Sequence, residues 1–174
     1  IEDYMDVDGD IIFANPNNPT GLMIPSKDIE RLVAKRADRM VIVDEAYIDY
    51  AEDSCLPLAT RYPNLVVVRT FSKSRNLAGA HVGFAVASKE IIADMNKIKF
   101  SFNPFNLNSI TMAAGIAAVQ DVEYLNDCVK KTIVVREETR RDLEEMGFFV
   151  IPSKAKASIF LRGYLLSPAK RSAR

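Results

Sequence analysis

Four short apolar runs, each bordered by polar turns, constrain the fold of this chain more than any other feature. They are Ile11–Ala14 and residues 40–43, 65–68 and 82–87. Each run is continuous rather than alternating, which predicts strands covered on both faces, as in a parallel sheet. Between the first two, residues 26–35 place Ile29, Leu32 and Val33 at helical spacing behind Ser26, a residue type suited to an N-cap. A strand, a crossing helix and a second strand form the β-α-β unit of an α/β domain. The expected fold class is therefore α/β, a mostly parallel sheet with helices on both faces.

Ligands of open α/β sheets collect beyond the carboxyl ends of the strands. Asn15-Pro16-Asn17-Asn18-Pro19-Thr20-Gly21 follows the first run, Asp44-Glu45-Ala46-Tyr47 ends the second, and Thr70-Phe71-Ser72-Lys73 follows the third. All three motifs are thus expected on one rim. Singly, each has an ordinary explanation: a solvated lysine, an aspartate that forms a turn, a turn rich in Asn and Pro. Together they match the needs of pyridoxal 5'-phosphate, an electron sink whose aldehyde is held by a lysine amine and whose ring nitrogen is kept protonated by a carboxylate. Lys73 and Asp44 suit those roles, and the Thr70 and Ser72 hydroxyls suit the phosphate. Asn18 and Tyr47 can supply an amide N–H and a phenol O–H to the ring oxygen. Lys73, Asp44 and Tyr47 are the candidate catalytic residues. A Ser72, His81 and Asp44 triad lacks the G-x-S-x-G elbow, and the glycines form no G-x-G-x-x-G.

From Ile11 to about Gly147 the chain resembles the fold type I aminotransferases of class I and II, above all their histidinol-phosphate group. The resemblance rests on the Asn-Pro-Thr-Gly turn ending at Gly21, Asp44-x-x-Tyr47, Ser72-Lys73, and Phe100-Ser101-Phe102-Asn103-Pro104-Phe105-Asn106-Leu107-Asn108. It implies transamination between a small-molecule amino donor, L-histidinol phosphate, and a 2-oxo acid, 2-oxoglutarate, in a cytoplasmic homodimer of histidine biosynthesis. It also implies a partial large domain over 1–134, followed over 135–174 by the end of an interdomain helix and the start of a small C-terminal α+β domain. Family members are about twice as long. They carry an aromatic ring stacked on the cofactor, part of the phosphate cup and a partner subunit's tyrosine in a segment that corresponds to sequence before Ile1, and their substrate-carboxylate arginines lie beyond Arg174. Both ends of this chain therefore read as cut, and Arg162, Arg171 and Arg174 are not assigned that task. Two competing readings follow from the same scaffold: a threonine-phosphate decarboxylase, and a truncated α/β piece without activity.

One position departs from the family pattern. His81, the only histidine, stands eight residues after Lys73 where relatives carry a phosphate-clamping arginine. A neutral imidazole offers one donor, whereas a guanidinium is always charged and binds phosphate bidentately. His81 is the expected phosphate contact here, and Arg75 is the nearest alternative cation.

The remaining sequence is helical in pattern. Residues 89–99 and Ser109–Gln120 carry apolar faces, and a long amphipathic stretch runs from Asp121 to Gly147, with Arg136, Arg140 and Arg141 expected on its solvated side. Residues 148–161 are expected to begin the second domain as strands. The charge is balanced, 23 basic against 23 acidic residues, which argues against nucleic acid or an anionic membrane as partner. Cys55 and Cys128 show no metal-ligand spacing and are expected to be free thiols.

Overall fold

The computed structural model describes residues 1–151 and 162–165. A four-stranded sheet of order β1-β2-β3-β4 is built from β1 (Ile11–Ala14), β2 (Val41–Asp44), β3 (Leu65–Thr70) and β4 (Gly83–Val86). β1, β2 and β3 are parallel, with Ile11 beside Val41 and Val41 beside Leu65, while β4 returns antiparallel with Gly83 opposite Thr70. β3 reaches two residues past its apolar run because β4 pairs with Arg69 and Thr70. Gly83 permits that pairing: a Cβ there would lie 2.5 Å from the Arg69 carbonyl oxygen.

The crossing helix α1 (Ser26–Lys35) presents Ile29, Leu32 and Val33, all fully buried, to one face of the sheet. They pack with Ile11, Val41, Val43, Leu65 and Val67, and with Met5, Cys55, Leu58 and Ala59. Burying one such aliphatic side chain contributes roughly 1.5–3 kcal/mol, so this layer carries much of the fold's stability. Cover on the other face is uneven. Val66 is 3% exposed, but Ile12, on the edge strand, is 72% exposed.

Ser26 is the first helical residue and not the N-cap; that position belongs to Pro25, whose φ of −58° and ψ of 141° are extended. Pro25 has no side-chain acceptor, so Asp53 reaches across from another loop and accepts the Ser26 N–H at 2.7 Å. Local spacing suggested a cap that tertiary contact supplies instead.

Three helices follow: α2 (Lys89–Phe102), α3 (Ser109–Gln120) and α4 (Val122–Glu145). Each starts at a side-chain cap, with Ser88, Asn108 and Asp121 accepting the N–H of Ile91, Thr111 and Tyr124. Gly147, at φ +96°, ends α4 and leads into β5 (Phe148–Ile151), which pairs antiparallel with β6 (Arg162–Leu165) in a separate sheet. The expected strands over 148–161 are thus described as far as Ile151. On α4, Arg140 pairs with Glu137 and Glu144 along an open face, as expected, but the Arg136 side chain is only 14% exposed and is not a solvated charge.

Candidate functional site

The rim of the sheet is assembled from three strand ends held in step by backbone hydrogen bonds. Asn15 N–H donates to the Asp44 carbonyl at 2.8 Å, and Glu45 N–H donates to the Val68 carbonyl at 2.9 Å. The chain beyond β1 is then bent back by Asn15, which is 1% exposed and exchanges two hydrogen bonds with the Ile24 backbone. This loop contains two cis bonds, Asn15–Pro16 and Asn18–Pro19, and holds Asn18 outward. The Asn18 amide donates to the Tyr47 hydroxyl at 3.4 Å, a contact across 29 residues of sequence.

Lys73 approaches from the third strand end. Its Nζ lies 5.4 Å from the centroid of the Tyr47 ring, within reach of the attraction between an ammonium and an aromatic face. Asn18, Tyr47 and Lys73 therefore meet. Asp44 is half-buried, and its Oδ1 accepts the Ala46 N–H at 2.9 Å; among the described residues Oδ2 carries no hydrogen bond. The two hydroxyls predicted on β3 also come together, with Thr70 Oγ1 donating to Ser72 Oγ at 2.9 Å while accepting the Ser72 N–H at 3.1 Å.

His81 is exposed, in the left-handed region at φ 51°, at the end of a short turn of helix over Ala78–Ala80. Phe71 N–H donates to the Val82 carbonyl, one residue past the last β3–β4 pair, and His81 lies just before, in the turn that leads into β4. The imidazole makes no hydrogen bond or ion pair among the described residues. Arg75, the alternative cation, is turned elsewhere. Its Nη1 donates to the Ala118 carbonyl of α3, its Nε lies 3.7 Å from Asp49 Oδ2, and its guanidinium sits 5.5 Å from the Phe71 ring centroid. A half-buried guanidinium with those partners is a packing element. Arg171 and Arg174 lie outside the described residues, and only the backbone of Arg162 is described.

Sequence reasoning passed over Glu45, the immediate neighbour of Asp44. Its side chain is fully buried and accepts hydrogen bonds from Arg69, from Ser54 Oγ and, at 2.6 Å, from the Cys55 N–H. The Cys55 thiol is pushed up to about 12 by burial first and then by the charges of Glu45 and Asp53, so it stays protonated and unreactive. Both cysteines are free. The signal for Glu45 was weak: it follows Asp44 just past an apolar run, where a charge is ordinarily solvated, and only the fold brings Arg69 of β3 against it.

Comparison with known proteins bears on this rim. The family described as aminotransferase class I and II matches residues 6–165. A histidinol-phosphate aminotransferase of Brachyspira hyodysenteriae is 45% identical over 156 residues, 89% of this chain and 44% of that protein. The crystal structure of histidinol-phosphate aminotransferase from Sinorhizobium meliloti in complex with pyridoxal-5'-phosphate superposes with a TM-score of 0.78 at 27% identity, covering 94% of this chain and 44% of that one. An L-threonine-O-3-phosphate decarboxylase from Porphyromonas gingivalis has a TM-score of 0.67 at 25% identity, covering 84% of this chain and 45% of that one. The chain spans less than half the length of these relatives. With a family match across nearly all of its residues and the same mixed sheet as its structural neighbours, this chain belongs to the class I and II aminotransferases.

Proposed function

We propose that this chain carries the cofactor-binding rim of a pyridoxal-phosphate-dependent aminotransferase, and that the whole protein exchanges an amine between L-histidinol phosphate and 2-oxoglutarate. The observation that carries this reading is the meeting of Lys73, Tyr47 and Asn18 from three separate strand ends, with a carboxylate that keeps an uncommitted oxygen at the end of β2 and a pair of hydroxyls at the end of β3. That donor set fits pyridoxal phosphate: an amine for its aldehyde, a carboxylate for its ring nitrogen, and hydroxyl and amide donors for its anionic oxygens. The names of the relatives support the substrate pair. The division of the chain at about residue 134, a cytoplasmic location and a homodimer belong to the same proposal.

When bound, pyridoxal phosphate supplies the electron sink that lets a substrate carbon lose its proton. Lys73 would hold the cofactor through its amine and, once released, would serve as the general base and acid that moves the proton. Asp44, with Oδ1 fixed on the Ala46 N–H, would have Oδ2 left to hold a cationic ring N–H. The Tyr47 hydroxyl is oriented by the Asn18 amide, and its ring flanks the Lys73 ammonium. Thr70 donates its O–H to Ser72 Oγ and accepts the Ser72 N–H, which holds the Ser72 oxygen in place and would leave the Ser72 O–H to meet an anion at a lower ordering cost. His81, exposed in the turn before β4, would supply a donor without the permanent charge of arginine.

The test is to load the protein with pyridoxal phosphate, reduce with borohydride and map the labelled peptide. Label on Lys73 is the expected outcome; label elsewhere with Lys73 untouched overturns the assignment. The decarboxylase scaffold is separated by product analysis, since release of carbon dioxide from threonine phosphate, without amine exchange onto 2-oxoglutarate, replaces the aminotransferase reading. Absence of any cofactor absorption band in the 174-residue chain, with binding in the complete protein, identifies this piece as inactive by itself.

A further inference from the structure

A single carboxylate joins the two loops that carry Tyr47 and Lys73. Asp49 lies two residues after Tyr47, in the short helical turn Ile48–Tyr50, and its Oδ2 accepts a hydrogen bond from the Ser74 hydroxyl, one residue after Lys73. Ser74 is 2% exposed, and the same Oδ2 is 3.7 Å from Arg75 Nε. Arg75 extends the tie to α3 through the Ala118 carbonyl and lies over Phe71, whose ring also packs where Gly115 of α3 leaves room, 3.4 Å from where a Cβ would stand. Lys73 itself is exposed, and its own backbone contact is the local Asn76 N–H to Lys73 carbonyl bond. A long, flexible side chain on an exposed loop holds one position only if the backbone beneath it is anchored. Here the anchor is Asp49.

We propose that Asp49 is a positioning residue for Lys73: through Ser74 and Arg75 it fixes the lysine-bearing turn against the Tyr47 loop and against α3, so that the amine rests over the Tyr47 ring. The proposal rests on the reading of Lys73 as the cofactor-holding lysine. It also accounts for Arg75, a cation two residues from that lysine which is engaged in holding the turn and is thereby withheld from anions on the rim. Among the described residues no hydrogen bond or ion pair joins Asp49 to Lys73 or Asn18, and its bonds go to Ser74 and Arg75, so its effect is geometric. Misplacement of a reacting group by about 1 Å can reduce rate by a factor on the order of 100, which sets the scale a loosened turn can reach.

The experiment measures where pyridoxal phosphate attaches. The complete protein and its Asp49→Ala, Asp49→Asn and Ser74→Ala variants are incubated with limiting pyridoxal phosphate, reduced with borohydride and mapped, and the label on Lys73 is divided by the label on Lys130. Lys130 is exposed on α4 and reports general lysine reactivity in the same sample, and labelling is done well below each variant's thermal midpoint, so the ratio is read on folded protein and not on an unfolded fraction. The ratio is expected to fall about tenfold in Asp49→Ala and about threefold in Asp49→Asn, which keeps an acceptor for Ser74 but loses the charge opposite Arg75. Ser74→Ala, which keeps the charge and loses the hydroxyl, is expected to fall by a similar few-fold. Should Asp49→Ala fail to fold by circular dichroism, the two milder variants decide. An unchanged ratio in every folded variant overturns the role of Asp49, whereas an unmodified protein that shows no preference for Lys73 overturns the underlying reading instead.

Discussion

Asp44 and Glu45 are consecutive carboxylates at the end of one strand, and their surroundings differ completely. Glu45 is fully buried among Arg69, Ser54 and the Cys55 N–H, with both oxygens engaged. Asp44 is half-buried on the rim with one oxygen committed to the Ala46 N–H. A strand sends successive side chains to opposite faces, so a shift of one residue exchanges a filled, buried environment for a half-buried one, the one proposed to meet the cofactor. The lesson is general. A buried charge whose hydrogen-bonding capacity is filled holds the fold, and a neighbouring charge with spare capacity at a strand end is available to a ligand.

This contrast can be broken most sharply by exchanging the two losses. Asp44→Ala is expected to leave the thermal unfolding midpoint close to that of the parent while turnover falls by several powers of ten, since removal of a charge partner at a reacting ring is worth roughly 3–5 kcal/mol. Steady-state kinetics beside a thermal melt measures both, and parental turnover in that variant removes Asp44 from the chemistry.

Glu45→Ala is expected to behave in the opposite sense. It strands the partly buried Arg69 guanidinium and the Cys55 N–H, which costs about 3 kcal/mol of stability by denaturant titration. If Glu45→Ala instead folds as well as the parent and loses only activity, the two carboxylates have been assigned the wrong way round.

On the rim side, His81→Arg is expected to tighten pyridoxal phosphate by about one to two powers of ten, because a charge-assisted hydrogen bond contributes about 1.5–3 kcal/mol. The check is the cofactor dissociation constant of the complete protein and the variant across pH. Where protonated His81 holds the phosphate, binding in the parent strengthens as pH falls, and the arginine variant loses that dependence. Equal and pH-independent constants place residue 81 away from the phosphate.

The smallest expected effect lies on the buried side. The Cys55 thiol is raised from its ordinary value of 9.0 to about 12, chiefly by burial. A raised acid favours the folded state fully below the unfolded value, and the contribution disappears as pH rises from the unfolded toward the folded value. Stability should therefore decline above about pH 9, by about 1 kcal/mol at pH 10, and Cys55→Ala should flatten that part of the profile. An identical alkaline slope in the variant shows that the decline belongs to other groups.

Much of the site was legible before folding because its residues sit at strand ends, and strand ends are marked by where continuous apolar runs stop. Asn18, Asp44, Tyr47, Thr70, Ser72 and Lys73 could be assigned to strand ends from that pattern, and the structure has them at or just beyond the ends of β1, β2 and β3; their cofactor roles are the proposal made above. The direction of Arg75 was not legible, since two residues of loop span every orientation and only Asp49, Phe71 and α3 select one. Nor was the cap of α1, where an acceptor 27 residues away serves in place of a local side chain. Glu45 escaped notice for the same reason: its charge partner Arg69 comes from the neighbouring strand, 24 residues on, and Ser54 and Cys55 reach it only once the intervening loop is folded.

The sequence by itself determined the elements of this protein, their alternation and the polar chemistry at their ends, because apolar periodicity and turn residues act through local backbone geometry. Only the tertiary structure decided which charges are spent on the fold and which remain for a ligand. That choice depends on which groups long-range packing brings within about 3 Å of one another, and two adjacent carboxylates with the same intrinsic chemistry receive different partners once the pleat separates them.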